Sequence, residues 1–507
     1  MKTYHTIKTL ALGGIAMFSL ASCSLDYEPL SEPSEITQGG QTETSTAVLK
    51  DKAAADAQLK SLYELFRNRQ EHTHLDYLLI GDSHSDNAYA GTTGAEVVPY
   101  ETNSIDASNS VLSRDWNRYL EDIAQANVLI NGVEQLKENG QISEAEYHSY
   151  KAQGEIFRAL MMFRMARLWG SFPVITTIAK TITSDNINEV YPTYYPPRKT
   201  PKECYEQIIA DLTDAEQYAP DNDNSDRTKM TKTVAQAMLA KVYAEKEVQD
   251  YDKVIAYADK VMNTTGVELE DSYETLWGYD ETAIDCMKRN TKEGILEVHW
   301  SGGGNWETWM YGRQLDNWDY YFTWAKWITP SRDIINDFDK EGDEVRKNQA
   351  IVYYACTWSN YYPASNYPFM YKLRSSYNNI YWVRLADIIL MKAEAEAYKG
   401  NLAESAKLVN QIRKRAKLKD LTSDKTGSKE AMIEAVLHER RLELAFEGER
   451  WFDLCRNNKV EKYLNGIDSR DSGRIRQVKQ FDSNSYLLPI PQTALDQNTN
   501  LEQNPGY

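Results

Sequence analysis

Cysteine is scarce in this chain, with five in 507 residues. Beyond Cys23 they fall at Cys204, Cys286, Cys356 and Cys455 with no CxxC spacing, which excludes a zinc ribbon or a dense disulfide framework and leaves room for one or two bridges. A basic excess is also missing. The 57 Lys and Arg face 75 Asp and Glu, a formal net charge of −18, so nucleic acid, whose phosphates need a cationic face, is excluded as a partner. An anionic polymer is disfavoured for the same reason, and neutral ligands are favoured. GxSxG, GxGxxG and Walker patterns are absent, so serine-hydrolase and nucleotide chemistry have no support and no cofactor is expected. After the first 22 residues no apolar run is long enough to cross a bilayer.

What is present begins with Lys2 and Lys8 and the apolar run "TLALGGIAMFSLAS", which reads as a secretory signal. "LASC", ending at Cys23, resembles a lipobox, in which cleavage leaves the cysteine first and its thiol takes a diacylglycerol. The expectation is a signal peptide over 1–22, a flexible Ser/Thr/Glu/Pro-rich leader over 23–46, and a body anchored to lipid rather than inserted. Loss of Lys2 and Lys8 takes the formal charge from −18 to −20.

Helical periodicity dominates the body. "DKAAADAQLKSLYELFRN" aligns Ala55, Leu59, Leu62 and Phe66, and "WNRYLEDIAQANVLINGVEQL" aligns Tyr119, Ile123, Ala126, Ile130 and Val133. "YKAQGEIFRALMMFRMARLWG" stops at Gly170 with Pro173 beyond it. Two segments, "TVAQAMLAKVYAEKEVQDYDKVIAYADKVM" and "RLADIILMKAEAEAYKGNLAESAKLVNQIRKRA", each pair an alanine-rich helix with a second helix across a polar break, the unit that stacks in tetratricopeptide arrays. The predicted fold class is mainly α, a tetratricopeptide-like scaffold with helical units around 113–170, 200–264 and 381–417. Irregular insertions at about 71–112, 172–199, 265–379 and 457–507 are where function is expected.

The longest insertion holds "WSGGGNWETWMYGRQLDNWDYYFTWAKW", residues 300–327, with six of the twelve tryptophans and ten aromatic residues in twenty-eight positions. A pyranose offers a C–H face that lies flat on an indole and hydroxyls that need planar polar partners at the edge. Trp306, Trp309 and Trp318, with Tyr311 in the same run, supply the first; Arg313, Gln314, Asp316 and Asn317 supply the second. The competing reading is that these rings pack the insertion onto the scaffold, and for Trp300, Phe322, Trp324 and Trp327 packing is the preferred one.

Other clusters point to structure. In "HERRLELAFEGERWFDLCR", Glu439, Glu443 and Glu447 recur every four residues along one helix face, whereas glycoside hydrolysis needs carboxyls flanking a sugar. An ion-pair network with Arg440, Arg441 and Arg450 beside buried Leu444, Phe446 and Trp451 is expected, with Gly448 marking close packing. "HTH" at His72–His74 and "DSHSD" at Asp82–Asp86 lack metal-ligand spacing and read as a satisfied surface cluster. "DNDNSDR" has Asp226 where a calcium loop needs glycine and reads as a solvated turn; no metal is expected.

The chain resembles the SusD/RagB family of surface lipoproteins. The resemblance rests on "LASC", "GEIFRALMMFRMARLWGSFPVI", "PSRDIINDFDKEGDEVR", "VRLADIILMKAEAEAYKGNLAESAKLVNQIRKRA", "ERRLELAFEGERWFDLCR" and "LLPIPQTALDQNTNLEQNPGY", in that order. Asn498-Thr499 departs from the Asn-Pro frequent before the final "QNPGY". The resemblance implies a single SusD-like domain over 47–507, no enzymatic activity, and binding of a glycan on the outer-membrane exterior for hand-over to a SusC-like TonB-dependent transporter. It also implies an arc of aromatics drawn from an early loop and the middle insertion, where "GDSHSDNAYAGTTG" offers Asn87 and Tyr89. Two alternatives stay open: a peptide-binding or scaffold component of the transporter complex, and, further off, a hydrolase.

Overall fold

The computed structural model describes residues 49–69, 71–91, 94–300, 327–375 and 377–507. Its main helices are α1 (Lys52–Asn68), α2 (Ser110–Glu138), α3 (Glu144–Trp169), α4 (Pro201–Tyr218), α5 (Lys232–Ala244), α6 (Tyr251–Met262), α7 (Arg332–Glu341), α8 (Leu385–Lys399), α9 (Leu402–Arg415), α10 (Lys429–Glu443) and α11 (Arg450–Arg456). They begin and end where local chemistry dictates. Ser143 and Thr200 form capping boxes with Glu146 and Glu203, and α4 starts on Pro201, whose missing N–H is no loss at that position. Gly400 closes α8 in the left-handed conformation.

Successive helices pack as neighbours: α2 on α3, α3 on α4, α4 on α5, α5 on α6, then α6 on α8 and α8 on α9 and α10. The alanines of α5 and α8 lie at these contacts; Ala235, Ala237, Ala386 and Ala393 are fully buried. The predicted stripe of α2 is buried throughout, and in α1 Ala55, Leu62 and Phe66 are buried with Leu59 at the edge. The fold is mainly α, as the periodicity predicts.

From Gly154 onward every residue of α3 is buried, including three arginines. Each has partners. Arg158 forms a fork on Asp211 at 2.8 Å, Arg164 lies over the Tyr77 ring at 3.2 Å, and Arg167 pairs with Glu449 at 3.0 Å. The C-terminal segment crosses this helix: Trp169 Nε1 donates to Pro489 O at 3.1 Å and Asn504 Nδ2 to Trp169 O at 3.1 Å.

The strands are short and pair antiparallel. β1 (Ala88–Tyr89) pairs with β5 (Thr329–Pro330), β2 (Tyr279–Asp280) with β3 (Asp285–Cys286), β4 (Gly294–His299) with β8 (Asn379–Arg384), and β6 (Ile351–Tyr354) with β7 (Tyr367–Met370). Cys204, Cys286, Cys356 and Cys455 are all free, so the one or two bridges left open by the sequence do not form among them. No described helix is long and apolar enough to cross a membrane.

Candidate functional site

The early loop is built from inside the protein. A π-helical turn over Leu79–Ser83 sets Asp82 in the interior, where its carboxyl accepts from Asn87 Nδ2 at 2.8 Å, Gly448 N at 2.9 Å and Phe446 N at 3.1 Å. Burial pushes that carboxyl up to about 7 against these three donors. Four residues on, Asp86 takes both Arg450 Nε and Nη2, at 2.8 and 2.9 Å, and sits 3.4 Å from Arg441. Burial opposes its charge, yet the Arg441 and Arg450 guanidiniums hold it well below the usual carboxylate range.

Asn87 and Tyr89 then turn inward. Both are fully buried. Asn87 Oδ1 accepts from Arg441 Nε at 3.0 Å; the Tyr89 hydroxyl donates to Asp471 Oδ1 at 2.5 Å, and its ring stacks on Tyr361 at 4.3 Å. Here the two residues brace the loop and present no polar atom to the surface. The "HTH" and "DSHSD" cluster is likewise interior, which corrects the surface reading: His72 Nε2 contacts Asp122 at 2.8 Å and His84 Nδ1 the Tyr100 carbonyl at 2.5 Å. The loop folds inward because Arg441 and Arg450 need carboxylates. Among the described residues no group of three His, Cys, Asp or Glu is arranged to hold a metal.

β1 joins this loop to the middle insertion. Its pairing sets Ala88 opposite Pro330 and Tyr89 opposite Thr329, and Ser331 N donates to Asn87 O at 2.9 Å. The two ends of the tryptophan-rich run are pinned as well. Trp300 is buried, its backbone N–H donating to Asn378 O at 3.0 Å and its carbonyl accepting from Arg289 Nη2 at 2.6 Å; the Trp327 carbonyl accepts from Ser83 Oγ at 3.1 Å.

A second aromatic group stands beside the early loop, on the β6–β7 hairpin. Trp358 lies edge-on to Tyr367 at 4.5 Å, the Tyr361 hydroxyl shares its one proton between Glu101 Oε2 at 2.7 Å and Gly91 O at 2.8 Å, and Arg332 lies 4.2 Å over the Tyr362 ring. Sequence reasoning passed over it, although "YYACTWSNYYPASNYPF" is as rich in rings as the stretch it singled out.

α10 ends at Glu443 and Glu447 falls in the turn beyond it, so the single helix stripe expected for Glu439, Glu443 and Glu447 does not form; all three acids are engaged with cations elsewhere in the chain. Glu439 pairs with Arg346 at 2.7 Å and Arg413 at 3.0 Å; Glu443 with Arg384 at 2.6 Å, Arg346 at 3.2 Å and Arg415; Glu447 with Lys372 at 2.6 Å and Arg384 at 2.7 Å. Burial alone would raise the Glu443 carboxyl, but Arg415, Arg384 and Arg346 hold it well below the ordinary range. The network predicted for this segment exists, with different pairings: Arg440 meets Asp387 and Asp453, and Arg441 meets Asp333 and Asp337.

With this geometry in hand, the likenesses to known proteins are consistent. Residues 41–244 match a family described as "Starch-binding associating with outer membrane", and residues 274–507 match the SusD family. The chain is a SusD-like protein. It is similar to SusD-like protein P2 of Formosa agariphila, 27% identical over 441 residues, 79% of this chain and 81% of that one. A SusD-like protein of Bacteroides ovatus is 25% identical over 420 residues, 74% and 70% of the two chains. Among solved structures, a SusD superfamily protein from Bacteroides vulgatus superposes with a TM-score of 0.73 at 21% identity, over 91% of this chain and 100% of that one. A laminarin binding SusD-like protein gives 0.69 at 22% identity, over 90% and 100%. At these identities the structures establish a shared SusD-like fold.

Within that fold, Trp306, Trp309, Tyr311, Arg313, Asp316, Asn317 and Trp318, and Cys23 with its leader, lie outside the described residues. The structure does bring together the early loop, the exit of the insertion at Trp327 and the aromatic hairpin.

Proposed function

We propose that this SusD-like protein is a non-catalytic binder of a neutral polysaccharide or oligosaccharide at the outer-membrane surface, lipid-anchored through Cys23, which passes its ligand to a SusC-like TonB-dependent transporter. The observation that carries this reading is the β1–β5 pairing, which sets the early loop against the exit of the tryptophan-rich insertion and beside the β6–β7 aromatics. Trp306, Trp309 and Trp318 are the stacking platforms of the proposal, with Tyr311, Arg313, Asp316 and Asn317 at the ring edge and Asn87 and Tyr89 bracing the early loop. The family described as starch-binding and outer-membrane-associated, and the laminarin binding neighbour, support a glycan as ligand and the membrane surface as location. Engagement of Glu439, Glu443 and Glu447 in ion pairs supports a binding role over hydrolysis.

Titration of the purified full chain with soluble starch, laminarin, dextran, mannan and xylan tests it. Retention of a neutral glycan with no release of reducing ends is expected. Absence of binding to all of them, with recovery of a transporter in a pull-down, would favour the scaffold reading instead.

A further inference from the structure

A cleft of about 460 Å³ opens between the last turns of α1 and strand β4, lined wholly by described residues. Its size falls within the range of small-molecule sites, roughly 300–1,000 Å³. The floor is aromatic. Phe66 packs against Trp382 of β8 at 4.2 Å, and half-buried Tyr63 is fixed from behind, its hydroxyl donating to Gln153 Oε1 at 2.8 Å and accepting Met230 N at 2.9 Å.

The rim is polar. Lys60 has Glu64 beside it at 3.7 Å and Arg289 has Asp285 at 2.6 Å, His299 Nε2 contacts Glu297 at 2.8 Å, and Arg67 donates to Asn68 Oδ1 at 3.3 Å. Such pairs set a donor next to an acceptor, the match for a hydroxyl, which does both. One donor remains over: Arg289 Nη1 is buried with no hydrogen-bond partner among the described residues, a state that costs free energy until an acceptor arrives. The same guanidinium holds the Trp300 carbonyl at 2.6 Å, so the cleft lies at the foot of the tryptophan-rich insertion.

We propose that this cleft is a sugar subsite, taking one end of an uncharged glycan with a pyranose face on half-buried Tyr63 and its hydroxyls on the Arg289–Asp285 and Lys60–Glu64 pairs and on His299. It rests on the glycan-binding reading and adds that the bound chain runs from the insertion down to α1. The formal net charge of −18 disfavours uronic-acid or sulfated units.

Affinity electrophoresis of the full chain in gels containing soluble starch, laminarin, dextran, mannan, xylan or polygalacturonate tests this, with melting temperature as the check on folding. His299→Ala should weaken retention of the neutral glycan about tenfold, the equivalent of one or two hydrogen bonds. Thr228→Trp, at the mouth, should weaken it further, and polygalacturonate should not be retained. Two outcomes overturn the subsite while leaving the glycan-binding reading standing: binding lost in Trp306→Ala/Trp309→Ala but unchanged in both folded cleft variants, or retention of polygalacturonate through the cleft. Failure of the wild-type protein to retain any of the neutral polysaccharides overturns both. Binding that depends on the cleft and ignores the two tryptophans upholds the subsite and removes the platform.

Discussion

Gly81 and Gly448, 367 positions apart in the numbering, meet backbone to backbone: a Cβ on Gly81 would lie 2.1 Å from the Gly448 carbonyl oxygen. Gly448 itself has φ +81°, and a Cβ there would come 2.7 Å from the Tyr77 ring. The close approach lets both Asp82 oxygens reach the backbone N–H groups of Phe446 and Gly448.

Gly81→Ala is therefore expected to destabilise the protein by at least about 2–3 kcal/mol, because the clash is with backbone and no rotamer relieves it. Thermal or urea unfolding of the variant checks this; a melting temperature equal to wild type would show that the two segments can separate freely.

Glu443 stands among three guanidiniums, with Arg384 at 2.6 Å and Arg346 at 3.2 Å. Glu443→Gln leaves those buried cations short of a counter-charge and should cost about 3–5 kcal/mol. Denaturant unfolding measures it, and a loss below ~1 kcal/mol would mean that Glu293, Glu439 and Glu447 suffice alone.

His74 gives the acid sensitivity a defined window. Burial, with Arg164 nearby, drives its imidazole from 6.5 down to about 3, and burial takes His84 to about 4. The folded state thus keeps these rings neutral while the unfolded chain protonates below pH 6.5. Stability contributed by each is full above that pH and falls as pH drops toward the folded value. The melting temperature should decline between pH 7 and 4.5, and His74→Phe, which keeps a ring beside Trp300, should flatten the decline. An unchanged slope in the variant would assign the sensitivity elsewhere.

Tyr361 ties the hairpin to the early loop through Gly91 O and Glu101 Oε2. Tyr361→Phe should cost about 1–3 kcal/mol by leaving those acceptors short of a donor. Amide exchange should quicken around Gly91 and Glu101; unaltered protection would place the tie in the Tyr89 stack rather than the hydroxyl.

If indole platforms carry the ligand, Trp306→Ala/Trp309→Ala should lower affinity for a neutral polysaccharide by tenfold or more, about 1.4 kcal/mol, and affinity in the wild type should rise with oligosaccharide length. Calorimetry with a graded series of oligomers reads both; flat affinity across lengths would point to a single-ring site.

The helices were legible because their signals are local. The Ala55–Phe66 and Tyr119–Val133 stripes repeat within four residues, and Ser143, Thr200 and Gly400 mark ends one turn away. The candidate site was legible only in part. Ring density pointed to 300–327 and could equally have pointed to 353–369, where Tyr361 and Tyr362 flank the early loop. Nothing in spacing signalled the α1–β4 cleft, because Tyr63 and His299 belong to elements joined only by packing.

Composition and short-range pattern by themselves determined a helical, acidic, cysteine-poor chain with aromatic insertions, since propensity, capping and net charge depend on residues within a turn of one another. Only the tertiary structure decided that Asp86 meets Arg450 across 364 positions, that Asn87 and Tyr89 face inward, and that α10 pairs its glutamates with arginines from three other segments. Burial of a charge forces a partner to be found, but which partner depends on how the helices stack, and that is settled by packing between surfaces remote in sequence.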